Sequence, residues 1–349
     1  MGNVINMIGG GKPEEEKTVY WEDETLTVTP TTGKTMKKVT VKKPVLTSIA
    51  ITTNPTKMSY EKGDSFDTAG MVVKATYDNG AVKQVYNYTY SPKTFTSTGN
   101  QTVTISYTES GVTKTATVTV SVSIKIVPFT SGTWEQIHDM VQAAINGQLT
   151  LSSHWAVGDT KPVTLIQTGE VIELQIAGFN HDTYSDGVTA PVTFVMKDCL
   201  TNTSEMNLSN TNTGGYPASA MKIRVEGWVY DRLPSDLKAI VAPVKKKCYT
   251  TYNQASSLSE ANYNVWLLAE AEVLDSVSYT IGNGEGTKYP IFTDNASRVK
   301  KVNGSANYWW LRSASSSSST SFVGVGSGGG VSHSYASTSY GVAVGLCIR

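Results

Sequence analysis

The C-terminal segment, residues 309–349, constrains the fold of this chain more than any other stretch. It begins with two tryptophans and ends in the apolar sequence GVAVGLCIR, and most residues between these ends are Ser, Thr and Gly. A Ser/Gly-rich tract is typical of a flexible linker. Because a linker has no need of bulky apolar residues at both ends, we predict that this segment is folded with its ends buried.

Composition predicts a mainly β chain and excludes some partners. Thr, Ser, Val, Tyr and Gly are abundant, while long helical patterns are few. Lys plus Arg (29) equals Asp plus Glu (29), and no basic stripe favours nucleic acid. The three cysteines are far apart, so they imply no disulfide framework. We also expect no signal-directed export and no membrane insertion, because the sequence has neither an export-signal pattern nor a span-length apolar run.

Residues 1–43 are predicted to attach the chain to a larger assembly. Two short alternating runs, around Leu26/Val28 and Val39/Val41, flank the turn-like sequence TPTTGK. A hairpin this small cannot form a fold alone, so we expect it to pair with another chain. The sequence LTVTPTTGKTMKKVTVKKP resembles N-terminal segments of bacteriophage tail and baseplate proteins, which implies attachment to a virion.

Residues 44–125 carry the rhythm of a β-sandwich. DNG at 78–80 and ESG at 109–111 predict hairpin turns, and apolar residues alternate with period two on the strands around the second turn. About eighty residues in this rhythm suit one sandwich. The stretch resembles bacterial immunoglobulin-like domains over its full length, including LTSIAITTNPTKMSYEKGDSFDTAGMVVKATYDNG. That resemblance implies a spacer, or alternatively a module that contacts carbohydrate.

Residues 126–349 are predicted to form an α+β domain. Thr133 and Gln136 have the spacing of a capping box, and the residues that follow show helical periodicity up to Gly147. Strand-like runs come next, followed by an amphipathic stretch around Met221 and a short helix from Ser235. VWLLAEAEVL, residues 265–274, is apolar enough to be buried on most sides.

Several ordered motifs of this region resemble a C-type-lectin-fold family frequent in bacteriophages and prophages. They are WAVGDTKPVTL, AGFNHDTY, TFVMKDCL, VWLLAEAEV, GEGTKYPIF, YWWLRSA and YGVAVGLCI. Some members resemble the variable proteins of diversity-generating retroelements, in which a reverse transcriptase randomises adenines at the 3′ end of the gene. The resemblance implies a C-type-lectin-like domain whose variable segment is residues 309–349.

The residue types of the C-terminal segment agree with randomised Asn codons. Changing the two adenines of AAC or AAT yields Ser, Thr, Gly, His or Tyr, among others, but never Lys, Glu, Gln, Met or Trp. Residues 313–349 contain none of those five types and no Asn. An ordinary Ser/Gly-rich loop of a fixed domain remains the alternative, since small residues are expected in loops.

We predict a buried frame that presents a variable, ligand-binding surface. The frame comprises Trp309, Trp310, Leu311, Phe322, Val342, Val344, Leu346 and Ile348. In strand 322–326, period-two alternation would place Gly324 and Gly326 on the exposed face. The predicted surface positions are Ser315, Ser317, Ser318, Thr320, Ser321, Gly324, Gly326, Ser327, Gly328, Gly330, Ser332, His333, Ser334, Tyr335 and Thr338.

Other chemistry has weaker support. The four histidines lack metal-ligand spacing, and NHD at 180–182 is better explained by a turn than by half of an acid/base or metal site. No carboxylate follows Asp294, which disfavours calcium-mediated sugar binding. Cys347 lies in an apolar run and is predicted to be buried, and Lys245–Lys247 is predicted to be a solvated loop. We therefore expect no catalytic residues, no cofactor and no metal.

These observations favour a bacteriophage receptor-binding or adhesion protein over an enzyme. We expect it on the virion, at the tail or capsid surface, after assembly in the host cytoplasm. Its expected partners are a host-cell surface protein or glycan and other virion proteins, and we expect self-association, with a trimer as one option. The alternatives are a non-diversified bacterial surface adhesin and an enzyme, either glycan-acting or similar to formylglycine-generating enzymes.

Overall fold

The computed structural model describes residues 18–20 and 40–349. The chain divides into two compact units, Met1–Ile124 and Lys125–Arg349. Each unit has its own strands and its own buried side chains.

The first unit begins with a short pair of strands, β1 (Thr18–Tyr20) and β2 (Thr40–Lys42). They pair in parallel, with Thr18 opposite Thr40. This pair does not involve the run around Leu26/Val28, so the predicted hairpin stays a prediction. The runs around Leu26/Val28 and the turn TPTTGK lie outside the described residues.

Seven further strands of the first unit form two sheets. The sheet orders are β3-β5-β6 and β4-β9-β8-β7. The strands are β3 (Leu46–Thr53), β4 (Ser59–Glu61), β5 (Val72–Tyr77), β6 (Val82–Val85), β7 (Thr89–Ser91), β8 (Gly99–Glu109) and β9 (Val112–Ser123).

Both predicted hairpin turns are present, and one buried cluster joins the two sheets into a sandwich. Ser110 and Gly111 have φ of 48° and 80°, as the tight turn between β8 and β9 requires. The alternating apolar residues of β8 and β9 pair across the ladder, with Val103 opposite Val118. They are buried together with residues of β3 and β5 such as Val73.

The second unit is an α+β assembly in which strands outnumber helices. Its helices are α1 (Trp134–Ile145), α2 (Ala220–Trp228), α3 (Ser235–Lys238) and α4 (Glu270–Val273). Its strands are β10 (Thr160–Thr164), β11 (Val171–Thr183), β12 (Thr189–Met196), β13 (Val241–Ala242), β14 (Val244–Tyr249), β15 (Leu258–Tyr263), β16 (Trp266–Leu267), β17 (Lys300–Val302), β18 (Ser305–Asn307), β19 (Trp309–Ala314), β20 (Ser321–Val325), β21 (Val331–Tyr335) and β22 (Val344–Ile348).

Helix α1 confirms the predicted capping box. The Gln136 N–H donates to Thr133 Oγ1 (3.2 Å), and the Thr133 N–H donates to Gln136 Oε1 (3.0 Å). Trp134 and Ile137 are buried as the periodicity predicts. The helix ends before Gly147, whose φ of 70° suits glycine at a helix C-terminus.

The last strand of the chain lies in the middle of the largest sheet. The sheet order is β10-β11-β12-β22-β13, and β16 also pairs with β22. Phe194 of β12 lies opposite Leu346 of β22, and the Tyr184 hydroxyl donates to Ile348 O (2.5 Å). The C-terminal sequence GVAVGLCI is therefore buried between earlier strands, and this placement explains why it is apolar.

Strands β19, β20 and β21 form a separate antiparallel sheet in that order. With its connecting loops, this sheet spans residues 309–335 of the C-terminal segment. Among the described residues, no helix is long and apolar enough to span a membrane.

Candidate functional site

The predicted frame of the C-terminal segment is buried. Trp309, Trp310, Phe322 and Leu346 each have 0% exposure, as do the other four predicted frame residues. Both indole N–H groups have partners, because Trp309 donates to Arg298 O (3.0 Å) and Trp310 donates to Ser204 O (2.8 Å). Buried indoles that also donate hydrogen bonds hold β19 in a single position.

A buried ion pair fixes β19 to helix α4. Arg312 is fully buried and binds Glu272 with two parallel bonds, Nη1 to Oε2 (2.5 Å) and Nη2 to Oε1 (3.0 Å). Its guanidinium also donates to Leu267 O (2.9 Å) and Glu285 O (2.7 Å). Bidentate pairing of this kind is among the stronger hydrogen-bonded contacts in proteins.

Lys246 extends the ion pair into a cluster. Its ammonium donates to Glu272 Oε1 (2.8 Å), to the Tyr289 hydroxyl (2.8 Å) and to Asp182. Asp182 also accepts hydrogen bonds from Tyr289 (2.8 Å) and Thr193 (2.6 Å). The ion cluster, defined here as Asp182, Lys246, Glu272, Glu285 and Arg312, thus joins β11, β14, β19 and α4.

Two sequence predictions are wrong at this cluster. Lys245–Lys247 is part of strand β14 and not a solvated loop, and Lys246 is 3% exposed. NHD at 180–182 lies at the end of β11, where the pairing with β12 is irregular, and Asp182 is 7% exposed. The sequence contained no sign that Lys246 would find two buried carboxylates from distant segments.

The charges of the cluster shift the pKa values of its carboxyl groups in opposite directions. Burial alone would raise the pKa of Glu272, but Arg312 and Lys246 outweigh burial and hold it below its usual range. The pKa of Asp182 is likewise lowered, since Lys246 outweighs burial there. For Glu285 burial dominates and raises the pKa, although Arg312 and Ser313 oppose it.

Asn212 organises the loop between β19 and β20, here called the serine loop (residues 315–320), and the first residue of β20. Its side-chain amide donates to the carbonyls of Ser315 (3.3 Å), Ser318 (2.8 Å) and Ser321 (2.9 Å). Its backbone N–H donates to Ser319 O (2.9 Å). Because Asn212 is only 1% exposed, it acts as a buried clamp that gives a polyserine run a defined conformation.

His333 connects strand β21 to the serine loop. Its Nδ1 lies 2.7 Å from Ser315 Oγ and 3.2 Å from Ser317 Oγ. The imidazole also contacts the ring of Tyr279, with the centroids 4.9 Å apart. The backbone carbonyl of Tyr279 in turn accepts two hydrogen bonds from Ser316 (2.7 and 2.8 Å).

The Tyr279 segment is itself fixed by a buried carboxylate. Glu270 is fully buried, and its oxygens accept the N–H groups of Ser278 (2.7 Å), Tyr279 (3.0 Å) and Thr280 (2.8 Å). The two acids of the motif AEAEV therefore have separate tasks. Glu272 fixes β19, and Glu270 fixes the segment on which the serine loop and His333 rest.

Most of the predicted surface positions reach solvent, but four do not. Those that are at least partly exposed are Ser317, Ser318, Thr320, Ser327, Gly328, Gly330, Ser332, His333, Ser334, Tyr335 and Thr338. The buried four are Ser315, Ser321, Gly324 and Gly326. The prediction that these four face solvent is therefore wrong.

Gly324 is buried because its strand, β20, is covered on both faces, and Gly326, which directly follows β20, is buried as well. A Cβ at Gly324 would lie 3.1 Å from Trp309 O, and one at Gly326 would lie 3.3 Å from the Tyr308 ring. A side chain at either position would force its neighbour to move, so packing favours glycine at both. Period-two alternation placed them opposite the valines, but it could not show that both faces were covered.

The three thiols are poorly suited to nucleophilic chemistry. Cys347 is fully buried, as predicted, and burial raises its pKa. Burial also raises the pKa of Cys199 and of Cys248 to about 12 each. Thiols with raised pKa values remain protonated and weakly nucleophilic near neutral pH.

A polar cleft opens above the ion cluster. It has a volume of about 380 Å³, and its lining includes His181, Lys245, Lys247 and Glu260 as well as Asp182, Lys246, Glu272 and Glu285. The ionised groups on its floor bond mainly to one another, with Lys246 shared by two carboxylates. Among residues 40–349, no group of three or more His, Cys, Asp or Glu side chains is placed to hold a metal ion.

Sequence reasoning missed Asn212, Tyr279 and Glu270. Each lies outside the C-terminal segment and acts on it through tertiary contacts, at sequence separations of up to 109 residues for Asn212. A single sequence offers no signal for such pairs. The acidic pair in AEAEV was visible as two charges in an otherwise apolar run, and buried charges of that kind indicate partners.

Comparison with known families identifies part of each unit. Residues 53–120 match the bacterial Ig-like domain (group 3), and residues 190–349 match a domain of unknown function, DUF6273. No curated protein matches the chain. The chain is therefore a mainly β protein that contains a bacterial Ig-like domain in its N-terminal half.

Proposed function

We propose that the chain is a bacteriophage receptor-binding or adhesion protein. In this proposal the second unit is a C-type-lectin-like domain that presents a ligand-binding surface to the host cell. The Ig-like domain acts as a spacer, and residues 1–43 attach the protein to the virion. The partner is a protein or glycan on the host surface.

The observation that carries the proposal is a surface of short side chains on a rigid base. Ser317, Thr320 and Ser332 lie on adjacent segments and are at least partly exposed. Strands β20 and β21 pair along their length. Beneath them lie the buried indoles of β19 and the Asn212 clamp. Such a base tolerates substitutions on its surface, since the surface side chains contribute little to folding.

Diversification by a retroelement is proposed for the exposed positions only. Each of them holds Ser, Thr, Gly, His or Tyr, which randomised Asn codons reach. Gly324 and Gly326 are excluded, because larger residues there would meet Trp309 O or the Tyr308 ring. Neighbouring DNA that lacks both a reverse-transcriptase gene and an Asn-rich near-copy of the 3′ end would overturn diversification.

The chemistry of the surface predicts weak binding by one copy. Tyr335, 59% exposed, is the one large aromatic residue among the proposed surface positions, and aromatic anchors usually carry most of the energy of an interface. Several copies on one particle would raise the overall affinity. Nanomolar binding by an isolated monomer would contradict this prediction.

Cell binding by matched variants tests the proposed surface. Tyr335→Ala removes the exposed aromatic of the surface, and Tyr86→Ala is the control, since Tyr86 is 75% exposed on the first unit. We expect the labelled full-length protein to bind host cells, Tyr335→Ala to weaken binding about tenfold, and Tyr86→Ala to have no effect. Equal binding by all three proteins would show that the proposed surface does not bind the host cell. Absence of the protein from purified phage particles would overturn the proposed attachment to the virion.

A further inference from the structure

Strand β21 is the edge strand of its sheet. It pairs with β20, and no other strand in the described part of the chain pairs with it. All five of its residues are partly or fully exposed. Its outer side is therefore open.

Hydrogen bonds at both ends of the ladder fix the direction of each backbone group. The Gly326 N–H donates to Gly330 O (2.7 Å) at one end, and the Ala336 N–H donates to Thr320 O (2.9 Å) at the other. Hydrogen-bonded pairs alternate with non-bonded pairs in an antiparallel ladder. Counting from either end, the even-numbered residues of β21 direct their N–H and C=O groups toward β20.

The odd-numbered residues direct theirs outward. Val331 and His333 each present an N–H and a C=O on the open side, and Tyr335 presents an N–H, since its C=O accepts the Thr338 N–H (2.9 Å). These outward N–H and C=O groups occur at every second residue. Their spacing therefore matches the C=O and N–H groups along one side of an extended chain.

Strand β21 lacks the residues that usually keep an edge strand from pairing with another chain. Strand β21, VSHSY, contains no Lys and no Pro, and residues 313–348 contain no charged residue at all. Natural proteins commonly use such residues, bulges or covering segments to keep sheet edges from pairing. The side chains of Ser332 and Ser334 are also short, so they leave the backbone accessible.

We propose that β21 binds an extended peptide segment of a partner protein by strand addition. The inference rests on the proposed function, and it assigns the ligand of that surface to protein in place of glycan. The absence of charge favours a neutral segment with apolar side chains. Two exposed apolar residues are available to anchor it, Tyr335 (59% exposed) and Leu208 (81% exposed). Leu208 is next to Asn207, whose N–H donates to Ala336 O (3.0 Å) just beyond β21.

Two variants at one position separate the backbone from the side chain. His333→Pro removes the outward N–H and the imidazole, whereas His333→Ala removes only the imidazole. Neither change deletes a bond to β20, because residue 333 faces outward. A second backbone variant replaces Tyr335 by its α-hydroxy acid, which keeps the side chain and exchanges the N–H for an ester oxygen. Unfolding curves of the full chain establish that each variant is folded.

The probe is a displayed library of short linear peptides, selected on the full-length protein. We expect neutral peptides with alternating apolar residues, bound about tenfold more weakly by His333→Pro and by the Tyr335 ester than by His333→Ala. Equal affinity for His333→Pro and His333→Ala would overturn strand addition, as would a failure to select any such peptide. A dimer that His333→Pro dissociates would make a second copy of the chain the occupant, and this result too would overturn the proposal.

The same variants in the cell-binding assay separate the two proposals. If the wild-type protein binds cells and both His333 variants bind equally, the binding function stands and strand addition fails. If the wild-type protein binds no cells but binds peptides through the outward N–H groups, strand addition stands and the receptor-binding function fails.

Discussion

Replacing Glu272 by Gln tests how much the ion cluster contributes to the second unit. The carboxylate is 1% exposed and accepts four hydrogen bonds, two from Arg312 (2.5 and 3.0 Å), one from Lys246 (2.8 Å) and one from the Ala269 N–H (2.9 Å). Gln has nearly the same shape, so the change removes charge and acceptors without leaving a cavity.

The expected loss follows from those contacts. Each carboxylate oxygen of Glu272 accepts two hydrogen bonds. The Gln amide nitrogen cannot accept, so two hydrogen bonds are lost whichever oxygen it replaces. Arg312 and Lys246 also lose the negative charge that they share. Bonds to charged groups contribute about 1.5–3 kcal/mol each, and breaking a buried pair on one side costs about 3–5 kcal/mol. We expect Glu272→Gln to lower the free energy of unfolding by about 3–5 kcal/mol.

Urea unfolding followed by tryptophan fluorescence measures this loss. All tryptophans except Trp21 lie in the second unit, so the signal reports mainly on that unit. The control is Glu173→Gln, because the Glu173–Lys197 pair (2.8 Å) is about half exposed and is expected to contribute less than about 1 kcal/mol. A loss below about 1 kcal/mol for Glu272→Gln would refute the reasoning, because the cluster would then contribute no more than a surface pair.

The remaining predictions concern single buried groups. Burial lowers the pKa of Lys300 to about 8 from 10.5, so the unfolded chain binds this proton more tightly. The stability of the wild-type protein relative to Lys300→Met should therefore rise by about 2 kcal/mol between pH 7 and 9.5, and urea unfolding at the two pH values checks this. Asn212→Ala should cost about 1–3 kcal/mol, because Ser315 O loses the Asn212 donor, while the carbonyls of Ser318 and Ser321 keep only backbone donors, the N–H groups of Ser321 (3.5 Å) and Ser315 (3.0 Å). Asn210→Ala, which removes an exposed contact with Ser337, should cost less than about 1 kcal/mol. Gly345→Ala should destabilise the protein by about 1–3 kcal/mol, since the added Cβ would lie 3.0 Å from Trp266. Gly227→Ala should stabilise it by about 0.5–1 kcal/mol, because residue 227 lies in helix α2 with open space around its Cβ position. Thermal melts compare the stabilities of the two variants in each pair. The hydrogen-bond argument would be contradicted if Asn210→Ala destabilised the protein more than Asn212→Ala. The packing argument would be contradicted if Gly227→Ala destabilised it more than Gly345→Ala.

Local rules predicted the parts of the fold that local contacts form. The β8–β9 hairpin follows from ESG and period-two alternation, because Gly111 tolerates the positive φ of the turn. The start of α1 follows from Thr133 and Gln136, since both bonds of the capping box lie within one helical turn. The burial of the C-terminal tryptophans follows from their size and their position at the start of a Ser/Gly-rich tract.

Long-range contacts accounted for the errors. Lys246 appeared solvated because its two neighbours in sequence are lysines, yet its partners are 64 and 26 residues away. Gly324 appeared exposed because alternation defines two faces of a strand without showing what covers each face. The clamp at Asn212 could not be predicted, since nothing local distinguishes it from the other asparagines of the 201–214 region.

The sequence by itself determined that the chain is mainly β, that a sandwich precedes an α+β unit, and that the Ser/Gly-rich end is folded between apolar residues. These conclusions depend on side-chain alternation, turn residues and composition, which act over a few residues. Only the tertiary structure decided which surface positions reach solvent, how two carboxylates hold Lys246 and Arg312, and that β21 is an open edge. Those features depend on contacts between residues that are far apart in sequence and meet only in the folded chain. Local sequence patterns therefore cannot predict them.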